Sequence, residues 1–358
     1  MSFGYYKTFT TDHTQAGTAD SANFPICINV TDADLKTVGN GGKVQNSNGY
    51  DIRPFSDVGL SSALTFELVV YNGTTGYLEM HVNVVSLSHT SDLVSYLAFG
   101  DASITTDGSS SATWGTFVGV YHFKDGTTLN LTDSTAIANN GTNHGATATA
   151  GQIDGAVNFN GSNQYVSEST NWFNPLTTYT FEAWIKTSAT DTGNHVIAAI
   201  TSSLDDTPLV FFGINFGSTA HKLTIDHRST AGVENWADST TSVDDQAWHY
   251  CLGIRDGNTT FTTYVDGNNE GSSANSNNPG STGANISTVG VSQRTSAGLL
   301  YYFAGIIDEL RISTVARSSS YITATYNNQK TSSTFLAWGS LTPVGGGFFS
   351  HLTLLGAG

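Results

Sequence analysis

Short runs in which apolar and polar residues alternate, each closed by a cluster of Gly, Asn, Asp or Ser, recur along the whole chain and constrain its fold more than any other feature. Successive side chains on a strand point to opposite faces, so such runs bury one face, whereas an amphipathic helix needs a period near 3.6. The clearest are Phe24 to Val30, Ala63 to Tyr71, Tyr77 to Val84 and Leu93 to Phe99. Their spacing predicts sandwiches or jelly rolls. Charged residues make up 12% of the chain, too few to clothe long surface helices. The fold class expected is all-β.

At 358 residues the chain exceeds what one core usually serves, about 250 to 300 residues, so two β-sandwich domains are expected. A polar stretch from Gly100 to Ser111 separates the first strands from a new series beginning near Phe117. The expected partition is 1–115, 116–340, and a Gly-rich apolar tail, 341–358. The Asn/Ser/Gly-rich segment from Asp266 to Ser287 reads as a hairpin turn and an extended surface loop.

The net charge is −16, with 4 Lys and Arg against 11 Asp and Glu in residues 1–115 and 9 against 18 in the rest. Neither half carries the basic stripe that would neutralise phosphates, which argues against nucleic acid and anionic membrane surfaces as partners. No run approaches the ~18 apolar residues of a membrane span, and the start of the chain lacks the order of a signal peptide. Cys27 and Cys251 sit in apolar runs of different proposed domains and read as core thiols. There is no Gly-x-Ser-x-Gly, His-Glu-x-x-His, Cys-x-x-Cys or phosphate loop, and the ten histidines show no metal-ligand spacing.

From residue 117 to about 340 the chain resembles a LamG domain of the concanavalin A-like lectin and glucanase superfamily. The marks stand in family order: Val118 to Phe123 with Asp133-Ser134, Gly155 to Gly161 with Tyr165-Val166, Tyr179 to Ile185, Trp248-His249, Thr263 to Gly267, and Phe303 to Ile312. The resemblance implies a jelly roll. Residues 1–115 are similar to a family of unknown function often found ahead of LamG domains, through Asn23-Phe24-Pro25, Gly49 to Phe55, Leu64 to Glu67 and Tyr96 to Gly100. Read physically, Asp266-Gly267 is a tight-hairpin signal, Trp184 and Trp248 are core, and Glu309 and Arg311 share one strand face as a surface ion pair opposite Asp308. Glucanases of this superfamily place an aspartate between two glutamates on one strand. None of the seven glutamates here is followed two residues later by aspartate, so a non-enzymatic protein is expected.

Two functions follow. The first is glycan binding through the LamG-like domain, with Trp236 as the leading aromatic, then Trp172, Tyr301 and Tyr302. The second is a structural role as a bacteriophage virion component, a capsid decoration, fibre or tail protein on the virion surface. The alternative is an extracellular or cell-surface lectin-like adhesin. Phe348, Phe349, Leu352, Leu354 and Leu355 form an apolar tail too short for a core, which implies burial against other virion or surface subunits and a homo-oligomer. The resemblance also implies a structural Ca²⁺ held by Asp308, Asp133 and Asn160, against the simpler role of capping turns. If calcium is held, EDTA lowers the melting temperature; an unchanged value counts against it.

Overall fold

The computed structural model describes residues 2–124, 126–173, 177–187, 192–202, 207–217, 220–280, 283–294 and 298–345. Its sheets are antiparallel and form two sandwiches. In the first, a five-stranded sheet built on Tyr5–Thr11, Val94–Phe99 and Arg53–Phe55 faces a three-stranded sheet ordered Ser21–Thr31, Tyr77–Leu87, Phe66–Asn72. Alternation on the central strand explains the layering: Leu78, Met80, Val82 and Val84 enter the core with Phe9, Phe24, Ile26 and Phe99, while Glu79 and His81 take the other face.

The second sandwich pairs an eight-stranded sheet, centred on Thr178–Thr187 and Ala304–Ser313, with a seven-stranded sheet. The latter runs Glu234–Ser242, Lys222–Arg228, Leu209–Ile214, His195–Thr201, Ile286–Val289, Tyr165–Glu168, Gly141–His144. Its core gathers Phe159, Phe181, Ile185, Phe212, Ile225, Val289 and Leu310. Asp266 at φ 52° and Gly267 at φ 82° turn Thr260–Val265 into Asn268–Ser272, the hairpin expected of Asp-Gly. Both cysteines are buried and free. No described helix is long and apolar enough to cross a membrane.

Two expectations need correction. The first sandwich is not closed by residues 1–115, because the chain returns to it. The helix Ser319–Lys330, capped by Ser318, lies between the sandwiches, and Asn328 bonds both the N–H (2.7 Å) and the carbonyl (2.8 Å) of Cys27. Tyr321 meets Phe24 edge-on at 5.2 Å, Phe335 stacks on Phe24, and Leu336–Trp338 pairs with Tyr5–Thr11. Tyr321, Ala324, Phe335 and Leu336 thus complete the first core, while Ile322 and Tyr326 pack on Trp184 and Tyr250 of the second sandwich. The expected tail residues Phe348, Phe349, Leu352, Leu354 and Leu355 lie outside the described residues.

The second correction concerns Ala304–Ser313. Its register against Thr178–Thr187 slips between Glu182 and Trp184, opposite Glu309, which sits at φ 50°. This β-bulge breaks the period of two. Asp308, Glu309 and Arg311 are consequently all buried on the side facing the first sandwich, not a surface pair with Asp308 opposed. Arg311 pairs with Glu309 and lies 4.8 Å over the Trp114 ring; Glu182 accepts a 2.8 Å bond from the Tyr250 hydroxyl.

Candidate functional site

The strand Glu234–Ser242 begins with strict alternation: Asn235, Ala237 and Ser239 are buried, and Glu234, Trp236 and Asp238 are half-buried. The inward residues lock this phase. Ala237 packs in the inter-sheet core, the Asn235 amide donates to the carbonyls of Thr259, Asn275 and Asn277, and Ser239 accepts from the Leu223 N–H and donates to the Thr241 carbonyl. Glu234, Trp236 and Asp238 therefore stand on the outer face of the seven-stranded sheet.

Register extends that face inward across two more strands. Trp236 lies opposite Asp226, and Asp226 opposite Phe211; Glu234 faces Arg228 and then Leu209; Asp238 faces Thr224 and then Gly213. Directly opposed residues in an antiparallel pair share a face at about 4.5 to 5.5 Å. An indole, a carboxyl and a phenyl ring thus form one row, flanked by charged and hydroxyl groups. Arg228 Nε donates to Glu234 Oε1 at 2.9 Å, and Thr224 Oγ1 to Asp238 Oδ1 at 2.9 Å. Beside the row, Phe216 packs on Phe211 (ring centroids 4.6 Å), and Tyr301 meets Phe216 edge-on at 5.3 Å.

Asp226 is the unusual member. It is 3% exposed, and one of its oxygens has no hydrogen-bond partner among the described residues. Burial, reinforced by the charge and hydrogen bond of Glu234, pushes its carboxyl well above the ordinary value of 3.8, against the pull of Arg228. The neutral acid is therefore the form of Asp226 that the fold favours.

Of the aromatics expected from the sequence, Trp236 and Tyr301 belong to this face. Tyr302 lies apart, near Tyr165, whose ring is stacked on exposed His144 at 4.0 Å. Trp172 is corrected: it is 2% exposed in the inter-sheet core, its indole N–H donates to the Tyr121 hydroxyl at 2.9 Å, and no ring face remains for a ligand. The residues expected to share a cation occupy separate networks. Asp133 accepts from the N–H groups of Val120, Thr135 and Asn139; Asn160 accepts from those of Ser162 and Asn163; Asp308 accepts from those of Gln152 and Ile153. These are turn-capping contacts.

Sequence reasoning missed Asp226, Arg228, Phe211 and Phe216. The alternation of Thr224, Asp226 and Arg228 was a usable signal, but inward His227 obscures it. That imidazole is buried against the Tyr179 hydroxyl (3.0 Å) and Arg255 (2.9 Å), and burial together with Arg255 lowers it to about 3, so both strand faces carry polar residues.

Residues 159–323, which span this face, match the family model Laminin_G_3 of the concanavalin A-like lectin/glucanases superfamily. The second sandwich has the concanavalin A-like jelly-roll fold. Solved structures similar to the chain include domain 4 of AbnA, an extracellular arabinanase from Geobacillus stearothermophilus, in complex with arabinotriose (19% identity, 58% of this chain and 97% of that one, TM-score 0.46). The binding domain of Paraclostridial mosquitocidal protein 1 is similar at 12% identity over 60% and 52% of the two chains, TM-score 0.46. The sialidase module CBM40 of Ruminococcus gnavus, bound to α2,3-sialyllactose, is similar at 14% identity over 42% and 83%, TM-score 0.36. No curated protein matches the sequence.

An acid whose pKa is raised on folding contributes stability that is complete below its unfolded value and lost as pH rises towards the folded one. Asp226→Asn removes that loss from the concanavalin A-like domain. Its gain in melting temperature over wild type should be small near about pH 4 and grow by about pH 8; a gain independent of pH would show that Asp226 does not titrate this way.

Proposed function

We propose that the protein binds carbohydrate on the outer face of its concanavalin A-like domain and does not cleave it. The observation that carries this reading is the row Trp236–Asp226–Phe211 flanked by Glu234, Arg228, Asp238 and Thr224. A half-buried indole offers a flat apolar face for the C–H side of a sugar ring, and the half-buried Glu234, Asp238 and Arg228 beside it suit its hydroxyl groups, while buried Asp226, Phe211 and Thr224 support them from beneath. The superfamily match to lectins and glucanases agrees with such a ligand.

The reading as a binder, not a glycosidase, is supported by the sequence: glucanase-type cleavage needs paired carboxylates held across the sugar, and none of the seven glutamates is followed two residues later by aspartate. On a glycan array the wild type should select a ligand without releasing product. Trp236→Ala should weaken binding to that ligand by ~10-fold or more in titration calorimetry. Equal affinity of the two proteins for every ligand found would remove Trp236 and this face from the function.

We further propose that the protein works at a surface, as a bacteriophage virion component, with a lectin-like adhesin as the alternative. The support is the apolar character of residues 348–355 in an otherwise polar, acidic chain. Val344 N–H donates to the Gly4 carbonyl, so a chain ending at Gly345 keeps the described fold. Light scattering should find full-length protein oligomeric and the shortened chain monomeric; monomers in both cases would remove the assembly role.

A further inference from the structure

Where the two sandwiches meet, Glu79 and His81 from Tyr77–Leu87 face His122, just past Phe117–Tyr121, and Glu309 at the bulge. All four are buried, and one donor atom from each lies within 4.8 Å of the others. We propose that these residues form a structural site for a divalent transition-metal ion of the zinc class, joining the N-terminal sandwich to the concanavalin A-like domain.

The first support is an unmet need for partners. Both oxygens of Glu79 and both ring nitrogens of His81 are buried without a hydrogen-bond partner among the described residues. Buried polar atoms are nearly always partnered, and four such atoms in two facing side chains point to a missing group. His81 Nε2 lies 3.9 Å from Glu79 Oε1 and 3.8 Å from Glu309 Oε2, too far for hydrogen bonds. Two ligands about 2.0 to 2.2 Å from one tetrahedral ion are separated by about 3.3 to 3.6 Å, so these gaps need close by only a few tenths of an ångström.

The second support is charge. Glu79, Glu182, Asp308 and Glu309 are buried carboxyls at the junction; Arg311 and His122 pair with Glu309, while Glu79 has no hydrogen-bond partner among the described residues. A buried carboxylate without a cationic partner is costly, and a divalent cation would offset it. Two imidazoles with two carboxylates suit zinc-class ions over calcium or magnesium, which prefer oxygen ligands throughout.

The surroundings fit ligand duty. His122 turns Nε2 towards Glu67 (3.2 Å) and Nδ1 towards Glu309 (2.5 Å), a hydrogen bond that an ion would replace by opening the pair to about 3.3 to 3.6 Å, and Glu67 is held by the Trp114 indole (2.6 Å) and the Ser134 hydroxyl (2.7 Å). A carboxylate behind a histidine is the usual way a ligating ring is oriented. A small cleft lined by Glu67, Lys124, Asn130, Thr132 and Ser134 reaches His122. Four protein ligands leave no open position, so the site would brace the fold without catalysing anything.

The test uses full-length protein refolded with Zn²⁺, Co²⁺ or Ca²⁺ and freed of excess metal. One zinc ion retained per chain, a melting temperature raised by Zn²⁺ but not Ca²⁺, and tetrahedral Co²⁺ absorption bands are expected. Glu79→Gln and His81→Gln should each lower zinc affinity by ~10-fold or more. No retained zinc and no thermal shift in the wild type would overturn the proposal. So would zinc binding unchanged in both variants, which would relocate the ion, for instance to Asp12, His13 and Asp92 at the surface. If the variants do not fold, the wild-type zinc content and Co²⁺ spectrum decide.

Discussion

The β-bulge at Glu309 is the constraint on which the arrangement of the two sandwiches depends. A regular strand would send Asp308 and Glu309 to opposite faces, and one carboxylate would enter the inter-sheet core beside Ile307 and Leu310. The extra residue instead puts Asp308, Glu309 and Arg311 on the side of the first sandwich, where Gln152, Ile153, His122 and Trp114 receive them. The junction between the units is therefore a buried polar layer, not a linker. The helix Ser319–Lys330 seals it: Trp184 donates to Gln329 at 2.7 Å while Asn328 grips the backbone of Cys27.

The candidate binding face obeys the rule that the bulge breaks. On Glu234–Ser242 and Lys222–Arg228 the inward side chains are committed to the core or to loop carbonyls, so the outward ones have no choice of face. The face is also stiff, because each outward residue is carried by a strand paired on both sides or by the edge strand that Asn235 ties to the loop around 275–277. Rigid placement of an aromatic with polar neighbours reduces the ordering cost of binding a flexible sugar.

Much of the architecture was legible because burial on one face leaves a period-two record. Phe24 to Val30, Tyr77 to Val84 and Leu93 to Phe99 are strands, and Asp266-Gly267 is a hairpin turn. The return of residues 319–343 was not legible, since a helix with polar Asn328 and Gln329 facing the interior lacks a clean apolar stripe. The bulge left no local signature, because Glu309 occupies a left-handed conformation that the sequence would assign to glycine or asparagine. At the site, Trp236 stood out by its polar neighbours, whereas Trp172 in a similar setting is core: Asn171 and Ser287 bond each other and the backbone around it instead of facing water. Asp226 could not be ranked without knowing that Glu234 lies across the strand pair.

The most direct test of the binding face is a crystal structure of the protein soaked with the oligosaccharide it prefers. A sugar ring stacked on Trp236, with hydroxyl groups on Glu234, Asp238 or Arg228, is the predicted result. A sugar held elsewhere on the domain, with Trp236 untouched, would contradict the account.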